Sequence, residues 1–431
     1  MRIAVDLTPM RPGGENGGVK FAILEFLKGL KAHLGDRLFL LLLTADDTHD
    51  EAASILGKVD LASCVLRRAG RGNFSQTVSL ATRSKVLVSS LLQRHRIDVL
   101  YCPFGTVSFV TERMPTVAMI VDLLHREFPF SLPAQTVEWR EWQFQRLIDS
   151  VDDFQTISQF TADRLNSLYN VPREQIFVTH LPIHGRLPAL AAKREPFFFY
   201  PANFWLHKNH EVLLVAYQIY LASATENKPW DLVLTGHPDE RCRQIQELAA
   251  DLGIAAHVKF LGYVSETKLA RIYSTASSLV FPSLHEGYGI PIVEAMSFGL
   301  PIVCGRDTSL PEIAGDAALY ADTRNPVKLA KALLRIAEDE GLRDELATLG
   351  RQRLQAFDFS AEVRRLADLL AMAKARNRRL NFFPRRNFFK DLRVAGLYYA
   401  RALARKALKV AVEVPLGIER WSTKISASSH K

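Results

Sequence analysis

Short apolar runs alternate with longer amphipathic segments along most of the 431-residue chain. The short runs are typical of buried strands, and the longer segments repeat their apolar residues at the spacing of a helix. This alternation predicts a mostly parallel sheet with helices on both faces. The predicted strands are 2–7, 37–44, 98–101, 115–121, 153–157, 175–179, 197–201, 230–235, 257–261, 278–281 and 301–304. The predicted helices are 18–33, 76–96, 134–149, 159–169, 208–223, 239–253, 265–276, 291–299, 326–338, 341–356 and 359–374.

A stretch rich in proline and glycine interrupts the alternation near the middle of the chain. Pro182, Gly185, Pro188 and Pro196 fall within 15 residues, which is typical of a linker between domains. The alternation then restarts, so we predict an α/β fold of two doubly wound, Rossmann-like domains that face a central cleft. The predicted units are an N-terminal domain (1–182), a linker (183–195), a C-terminal domain (196–356), a terminal helix (357–375) and a tail (376–431).

The clearest candidate chemistry lies in the segment FPSLHEGYGIPIVEAMSFG, residues 281–299. A strand runs into a loop in which Gly287 and Gly289 allow a close backbone approach, and a proline then suits the first turn of a helix. A helix N-terminus favours anions through its free N–H groups. Glu286 and Glu294, on either side of it, can only accept hydrogen bonds when ionised. The pattern favours a ligand that has both a phosphate and sugar hydroxyls.

Three further segments place polar residues after predicted strands. Lys208 opens a helix in YPANFWLHKNH, and Asp122 and His125 follow a buried strand in MIVDLLHREFP. The glycine-rich segment TPMRPGGENGGVKF follows the first strand, but it is not Gly-x-Gly-x-x-Gly, so a nicotinamide site is a poor match. Ligands in such sheets bind at the carboxyl ends of the strands, so we expect these segments to meet at the cleft.

Several classes of protein are not expected. No apolar run approaches the roughly 18 residues needed to cross a bilayer, and the first residues read as a strand and not as a signal peptide. The four cysteines are scattered, and the chain has no His-Glu-x-x-His and no Asp-x-Asp motif. We therefore expect a cytoplasmic protein without a metal site.

Together these segments resemble the family 4 retaining glycosyltransferases, which have the GT-B fold. Their donor-sugar signature is similar to FPSLHEGYGIPIVEAMSFGLPIVCG followed by LPEIAGDAALYAD. The similarity is dense over about 196–370 and thinner over 1–180, where such enzymes bind the acceptor. The resemblance implies transfer of a sugar from a nucleoside diphosphate sugar to an acceptor hydroxyl, with retention of anomeric configuration and without a metal or other cofactor.

The resemblance also implies roles for the candidate residues. Glu286 would contact hydroxyls of the donor sugar, Glu294 the ribose and Lys208 the diphosphate. Backbone N–H groups in the donor loop, at Gly289, Ile290 and Ile292, could bind a phosphate oxygen. The catalytic candidates are Glu286, His125 and Asp122. The donor-binding candidates are Lys208, Gly287, Tyr288, Gly289, Ile290, Glu294, Gly14, Gly17 and Gly18.

The chain departs from the family pattern at two positions. An Arg commonly lies a few residues before the lysine, whereas this chain has ANFWLH before Lys208. Which cation joins Lys208, His207 or another, is left open. Many relatives have a His directly before the aspartate; here Val121 precedes Asp122 and His125 follows it. His125 is therefore expected to contact the donor sugar or the acceptor.

The identity of the substrates is less constrained than the chemistry. GDP-mannose is the preferred donor on family frequency alone, and the expected acceptor is a glycan or a lipid-linked glycan. Two alternatives stay open: a GT-B sugar-nucleotide epimerase, and a non-catalytic protein that binds a nucleotide sugar. Glu312 is expected near the nucleotide, as a carboxylate at a helix N-terminus and not as a catalyst.

The positive charge of the chain is concentrated at its C-terminus. Of the net charge of +9, residues 374–431 contribute +12, from 15 Lys and Arg against three acidic residues. Basic residues interleaved with aromatics are typical of segments that lie in a membrane interface. We expect this tail to dock on an anionic membrane surface, on the inner face of the membrane; the alternative is that it packs on the N-terminal domain. Nucleic acid is not an expected partner. The aromatics are Phe382, Phe383, Phe388, Phe389, Tyr398 and Tyr399.

Overall fold

The computed structural model describes residues 1–12, 17–56, 61–66, 85–109, 114–181, 187–188, 190–224 and 229–377. These residues contain two sheets in which every strand pair is parallel. The first consists of β1 (Arg2–Asp6), β2 (Phe39–Ala45), β3 (Leu61–Leu66), β4 (Val99–Cys102), β5 (Thr116–Ile120), β6 (Asp153–Thr156) and β7 (Ile176–Val178). The second consists of β8 (Phe197–Pro201), β9 (Asp231–Thr235), β10 (Val258–Phe260), β11 (Ser278–Phe281), β12 (Ile302–Cys304) and β13 (Ala318–Tyr320).

Helices separate the strands and cover the sheets. β4 and β5 are buried at every position, which requires cover on both faces of the sheet. The α-helices are Gly17–Leu34, His49–Leu56, Lys85–Arg94, Leu124–Glu127, Ala134–Ile148, Gln159–Tyr169, His210–Ser223, Glu240–Asp251, Glu266–Thr275, Ile290–Ser297, Leu310–Ala314, Pro326–Glu338, Glu340–Arg353 and Phe359–Asn377. Short 3-10 helices lie at Gly35–Arg37, Pro129–Ser131, Arg173–Gln175, Leu206–Lys208, Ala255–His257 and Leu354–Ala356.

The sequence prediction of strands is confirmed, with each predicted strand found within two residues of its expected bounds. Two strands, β3 and β13, were not predicted. β13 lies at the edge of the second sheet, and only the first of its three residues is buried. The predicted helix 76–96 is described only as Lys85–Arg94, and its first part lies outside the described residues, as does part of the predicted linker 183–195.

The order of strands brings the candidate segments to one place. The first sheet runs β3-β2-β1-β4-β5-β6-β7 and the second β10-β9-β8-β11-β12-β13, so the order reverses between β1 and β4 and between β8 and β11. Such reversals are where doubly wound sheets bind ligands. The two edges face each other, because a Cβ added to Gly18 would lie 2.8 Å from the side chain of Ile290. The predicted cleft thus has the loops after β1 on one side and those after β8 and β11 on the other.

The terminal helix, Phe359–Asn377, returns to the first domain. A Cβ added to Gly29 would lie 2.5 Å from Val363, so this glycine lets the two helices pack closely. Lys374 contacts Asp98 at 2.8 Å and Arg376 pairs with Asp153. Because these aspartates lie at the start of β4 and β6, the helix ends at the sheet edge opposite the cleft. The basic tail from residue 378 lies outside the described residues, and no described helix is long and apolar enough to cross a membrane.

Candidate active site

The donor loop connects β11 to the helix Ile290–Ser297. Gly289 has a φ of 101°, a left-handed conformation that side chains disfavour, and a proline follows in the first helical turn. The N–H of Ile292 donates to the carbonyl of Gly289 at 2.9 Å. The expectation that Ile292 offers its N–H to a phosphate is therefore wrong in this conformation, because the loop's own turn already uses that donor.

Lys208 and Glu286 form an ion pair at the carboxyl ends of β8 and β11. Lys208 Nζ lies 2.5 Å from Glu286 Oε1, and each side chain is only 13% exposed. The O–H of Tyr200 donates to the carbonyl of Lys208 at 2.8 Å, and the amide of Asn209 donates to the carbonyl of Pro282 at 3.2 Å. The structure therefore brings together two residues that are 78 positions apart and fixes the backbone beside each.

Glu294 points into the second domain from the helix that follows the donor loop. Its carboxylate is nearly buried, with the residue 5% exposed. The O–H of Tyr273 donates to Oε2 at 2.7 Å. Burying a carboxylate is unfavourable unless it accepts hydrogen bonds. Tyr273 therefore orients Glu294, and a ribose at this position would bind a carboxylate that is already held in place.

Asp122 forms the part of the first domain that lies against the donor loop. A Cβ added to Gly287 would lie 3.3 Å from the Asp122 Cβ and 1.7 Å from the carbonyl oxygen of Val121, so only glycine fits there. Burial opposes ionisation of Asp122, but Arg140 at 3.6 Å and the N–H of Leu124 outweigh it and lower the pKa of the carboxyl group. The cleft wall opposite Glu286 is therefore also anionic.

His125 is buried behind that wall and does not reach the cleft in this conformation. Its Nε2 lies 2.9 Å from the Tyr169 hydroxyl, which itself donates to Glu141 at 2.9 Å. The tyrosine has one proton, so His125 donates from Nε2, and Nδ1 has no partner among the described residues. Burial lowers the pKa of His125 to about 4 despite the nearby Glu141. The ring is therefore neutral at neutral pH, and its contact with a substrate stays a prediction.

Two buried histidines lie beside the ion pair: His207, which the sequence offered as one possible partner of Lys208, and His285, which the sequence did not single out. His207 and His285 directly precede Lys208 and Glu286 and are 5% and 4% exposed. Within the described part of the chain, His207 Nδ1 and His285 Nε2 have no hydrogen-bond partner. Burial and the charge of Lys208 lower the pKa of His207 to about 4. Without a bound ligand His207 is therefore neutral at neutral pH, and which cation joins Lys208 at the diphosphate stays open.

The remaining candidates divide between the cleft and the domain contact. Gly18 lies against Ile290, and Gly17 begins a helix with a φ of 58°, whereas Gly14 lies outside the described residues. Tyr288 is 2% exposed and is part of the contact between the domains. In the described ranges no group of three or more His, Cys, Asp or Glu side chains could hold a metal ion.

These features define a class of protein. Two doubly wound parallel domains with facing switch points form a GT-B fold, in which a strand–glycine loop–helix unit carries Glu286 against Lys208. Residues 188–353 match the model of the family described as Glycosyl transferases group 1. This segment of the chain is therefore similar to that family, and the described residues have the GT-B fold.

Individual relatives agree with this assignment. O-antigen chain mannosyltransferase B of Escherichia coli is 32% identical over 245 residues, which are 53% of this chain and 62% of the relative. O-antigen chain mannosyltransferase RfbU of Salmonella typhimurium is 26% identical over 219 residues, 51% of this chain and 59% of the relative. The chain thus spans about three fifths of the length of these two curated relatives.

A solved structure extends the likeness to the whole described fold. Sucrose-phosphate synthase from Thermosynechococcus elongatus superimposes with a TM-score of 0.64, covering 87% of this chain and 100% of that chain. Its sequence identity is 19%, so this likeness shows the fold alone.

Proposed function

We propose that the protein is a metal-independent, retaining hexosyltransferase that moves mannose from GDP-mannose to a hydroxyl of a glycan acceptor. The observation that carries the proposal is the Lys208–Glu286 pair at the point where β8 and β11 diverge. A cation and a carboxylate in one largely buried site suit a ligand with a diphosphate at one end and sugar hydroxyls at the other.

Each half of that pair has a separate task. Lys208 would stabilise the negative charge that develops on the leaving diphosphate, where a buried cation acts more strongly than in water. The free N–H groups at Gly289 and Ile290 would add donors for a phosphate oxygen. Glu286 would accept hydrogen bonds from the sugar and so orient its anomeric carbon. Glu294, held by Tyr273, would bind the ribose.

The acceptor side is assigned to the first domain, with Asp122 at the cleft wall. In a same-face displacement the leaving phosphate oxygen takes the proton of the acceptor hydroxyl, so no side chain is assigned as general base. His125 lies behind Asp122, where it would support the acceptor wall. Mannose and a glycan acceptor are favoured because the two relatives above are named as O-antigen chain mannosyltransferases.

The test is incubation with isotope-labelled GDP-, UDP- and ADP-sugars and a panel of glycan acceptors. We expect mannose transfer from GDP-mannose, an α-linked product and full activity in EDTA. Conversion of the donor to an epimer without acceptor would identify an epimerase, and binding without turnover a non-catalytic protein. Loss of activity in EDTA that a divalent cation restores would contradict the metal-independent mechanism.

The basic tail suggests where the enzyme acts. We propose that it docks on the inner face of a membrane and that the acceptor is a lipid-linked glycan. The tail begins at the sheet edge opposite the cleft, where Arg376 pairs with Asp153. Each Lys or Arg near an anionic leaflet adds up to ~1 kcal/mol of binding free energy. Full-length protein should sediment with anionic vesicles at low salt and be partly released at high salt, while a 1–377 truncation stays in solution. Equal sedimentation of the two would contradict membrane docking by the tail.

A further inference from the structure

A cluster of charged side chains joins the two domains near the predicted linker. His180 follows β7, and its Nε2 lies 3.2 Å from Glu312 Oε1 in the second domain. Its Nδ1 lies 3.4 Å from Glu362 Oε1 in the terminal helix, and its backbone N–H donates to Glu362 Oε2 at 3.0 Å. The imidazole thus lies between carboxylates from two other parts of the chain.

The geometry of this cluster favours a positively charged His180. Burial opposes the charge, but Glu312 and Glu362 outweigh it and raise the pKa of His180 to about 9. Arg365 Nη1 also donates to Glu362 Oε1 at 2.7 Å. Arg353 donates to the backbone carbonyl of Glu312. At neutral pH each carboxylate therefore has a cationic partner. Glu362 requires one, because only 3% of its side chain is exposed.

Glu312 also caps a helix of the opposite domain. Its Oε1 accepts from the N–H of Gln159 at 2.7 Å and its Oε2 from the N–H of Phe160 at 2.9 Å. These are N–H groups at the start of the helix Gln159–Tyr169, where no intrahelical partner exists. A carboxylate at this end is also favoured by the helix dipole. The sequence predicted Glu312 near the nucleotide, as a carboxylate at a helix N-terminus; the structure shows its carboxylate across the domain contact, and its distance from a nucleotide stays a prediction.

The same helix start holds the donor loop. Ser158, its N-cap residue, donates from Oγ to the carbonyl of Gly287 at 2.7 Å, and Thr161 Oγ1 donates to that carbonyl at 3.3 Å. Tyr288 donates to the carbonyl of Leu181, the residue after His180, at 3.4 Å. The charged cluster and the donor loop therefore contact the same two segments of the first domain: the start of the helix Gln159–Tyr169 and residues 180–181.

We propose that His180 is a positioning residue for sugar transfer, which with Glu312 and Glu362 fixes the domain arrangement in which Gly287 and Tyr288 seat the donor loop. The inference rests on the proposed function for its link to catalysis. Glu286 directly precedes Gly287, so a change in domain contact moves its carboxylate relative to Asp122. Loss of the cluster is expected to impair the transfer step more than the binding of the nucleotide, which contacts the second domain.

The test compares His180→Gln with His180→Arg, which keeps a cation between the carboxylates, and with His33→Gln, an exposed histidine on another helix. We expect His180→Gln to have a larger radius of gyration by small-angle scattering than the wild type and the control. Its kcat should fall about 10- to 100-fold, as for a misplaced reacting group, with unchanged Kd for GDP. His180→Arg should recover part of kcat. The wild type should lose kcat as the pH rises through 9, by a step that His180→Gln lacks.

The outcomes separate this inference from the proposed function. Transfer by the wild type together with an unchanged kcat and radius of gyration in His180→Gln would overturn the positioning role. If the wild type transfers no sugar, the proposed function fails, and the scattering comparison alone then decides whether His180 fixes the domain arrangement. A variant that only unfolds at a lower temperature, with normal kcat below that temperature, would also overturn it.

Discussion

The two walls of the cleft are built in different ways. On the side of the second domain, one continuous strand, loop and helix carries Glu286 and Glu294, and each carboxylate has a partner in that same domain. On the side of the first domain, the carboxylate of Asp122 pairs with Arg140, and His125 is buried behind Asp122. The difference indicates that the wall of the second domain, which we propose binds the donor (the donor wall), is pre-organised before substrate binds. The wall of the first domain, which we propose binds the acceptor (the acceptor wall), takes its position from helices packed around it.

The largest expected effect comes from Glu286→Ala. The variant loses the carboxylate that orients the sugar, so kcat should fall about 10²- to 10³-fold, the size seen when one preorganised polar contact is removed from an active site. Affinity for GDP should change little, because the proposed contact of Glu286 is with the sugar and not with the nucleotide. Glu345→Ala, an exposed helix position, is the control. Near-normal turnover of Glu286→Ala would show that its carboxylate does not orient the sugar for transfer.

The next effect separates nucleotide binding from transfer. Lys208→Ala and Glu294→Ala each remove a charged side chain that we propose contacts the nucleotide, so GDP affinity should fall by about 1.5–3 kcal/mol, roughly 10- to 150-fold. Tyr273→Phe is the matched control, because it deletes the hydroxyl that orients Glu294 but leaves the carboxylate. It should weaken GDP less than Glu294→Ala does. Unchanged affinity in both alanine variants, measured by calorimetry, would place the nucleotide elsewhere.

The same contrast explains what the sequence could predict. The donor wall is local, so the spacing of Glu286 and Glu294 around a glycine loop was visible, and so were the strands that position it. The burial of His207 and His285 could not be predicted from the sequence, because it is decided by neighbours that are distant in sequence. No periodic pattern in the sequence indicates the cluster of His180, Glu312 and Glu362 either.

A third prediction concerns that cluster and the stability of the domain contact. The pKa of His180 is raised from 6.5 to about 9 on folding, so its stabilisation is fully present below about pH 6.5 and is lost as the pH rises through 9. The free energy of unfolding of the wild type should exceed that of His180→Gln by on the order of 1–3 kcal/mol at pH 6, and the gap should close toward pH 10. Urea titrations at several pH values measure it. A gap that does not depend on pH would contradict a charged His180.

The smallest expected effect tests the acceptor wall. Arg140 lowers the pKa of Asp122 against the opposing effect of burial, so Asp122 stays ionised to lower pH than a carboxyl without that partner. Arg140→Gln should move the acid limb of the kcat/KM profile upward by less than about one pH unit. More than a third of each side chain in the pair is exposed, and ion pairs with this exposure are worth about 0–1 kcal/mol. Arg364→Gln is the matched control, since Arg364 pairs with Asp358 at the same 3.6 Å on the terminal helix. An equal shift in both variants would mean that the limb reports overall charge and not Asp122. A shift only in Arg140→Gln would show that the charge of the acceptor wall is set by the helix Ala134–Ile148 and not by the donor loop it faces.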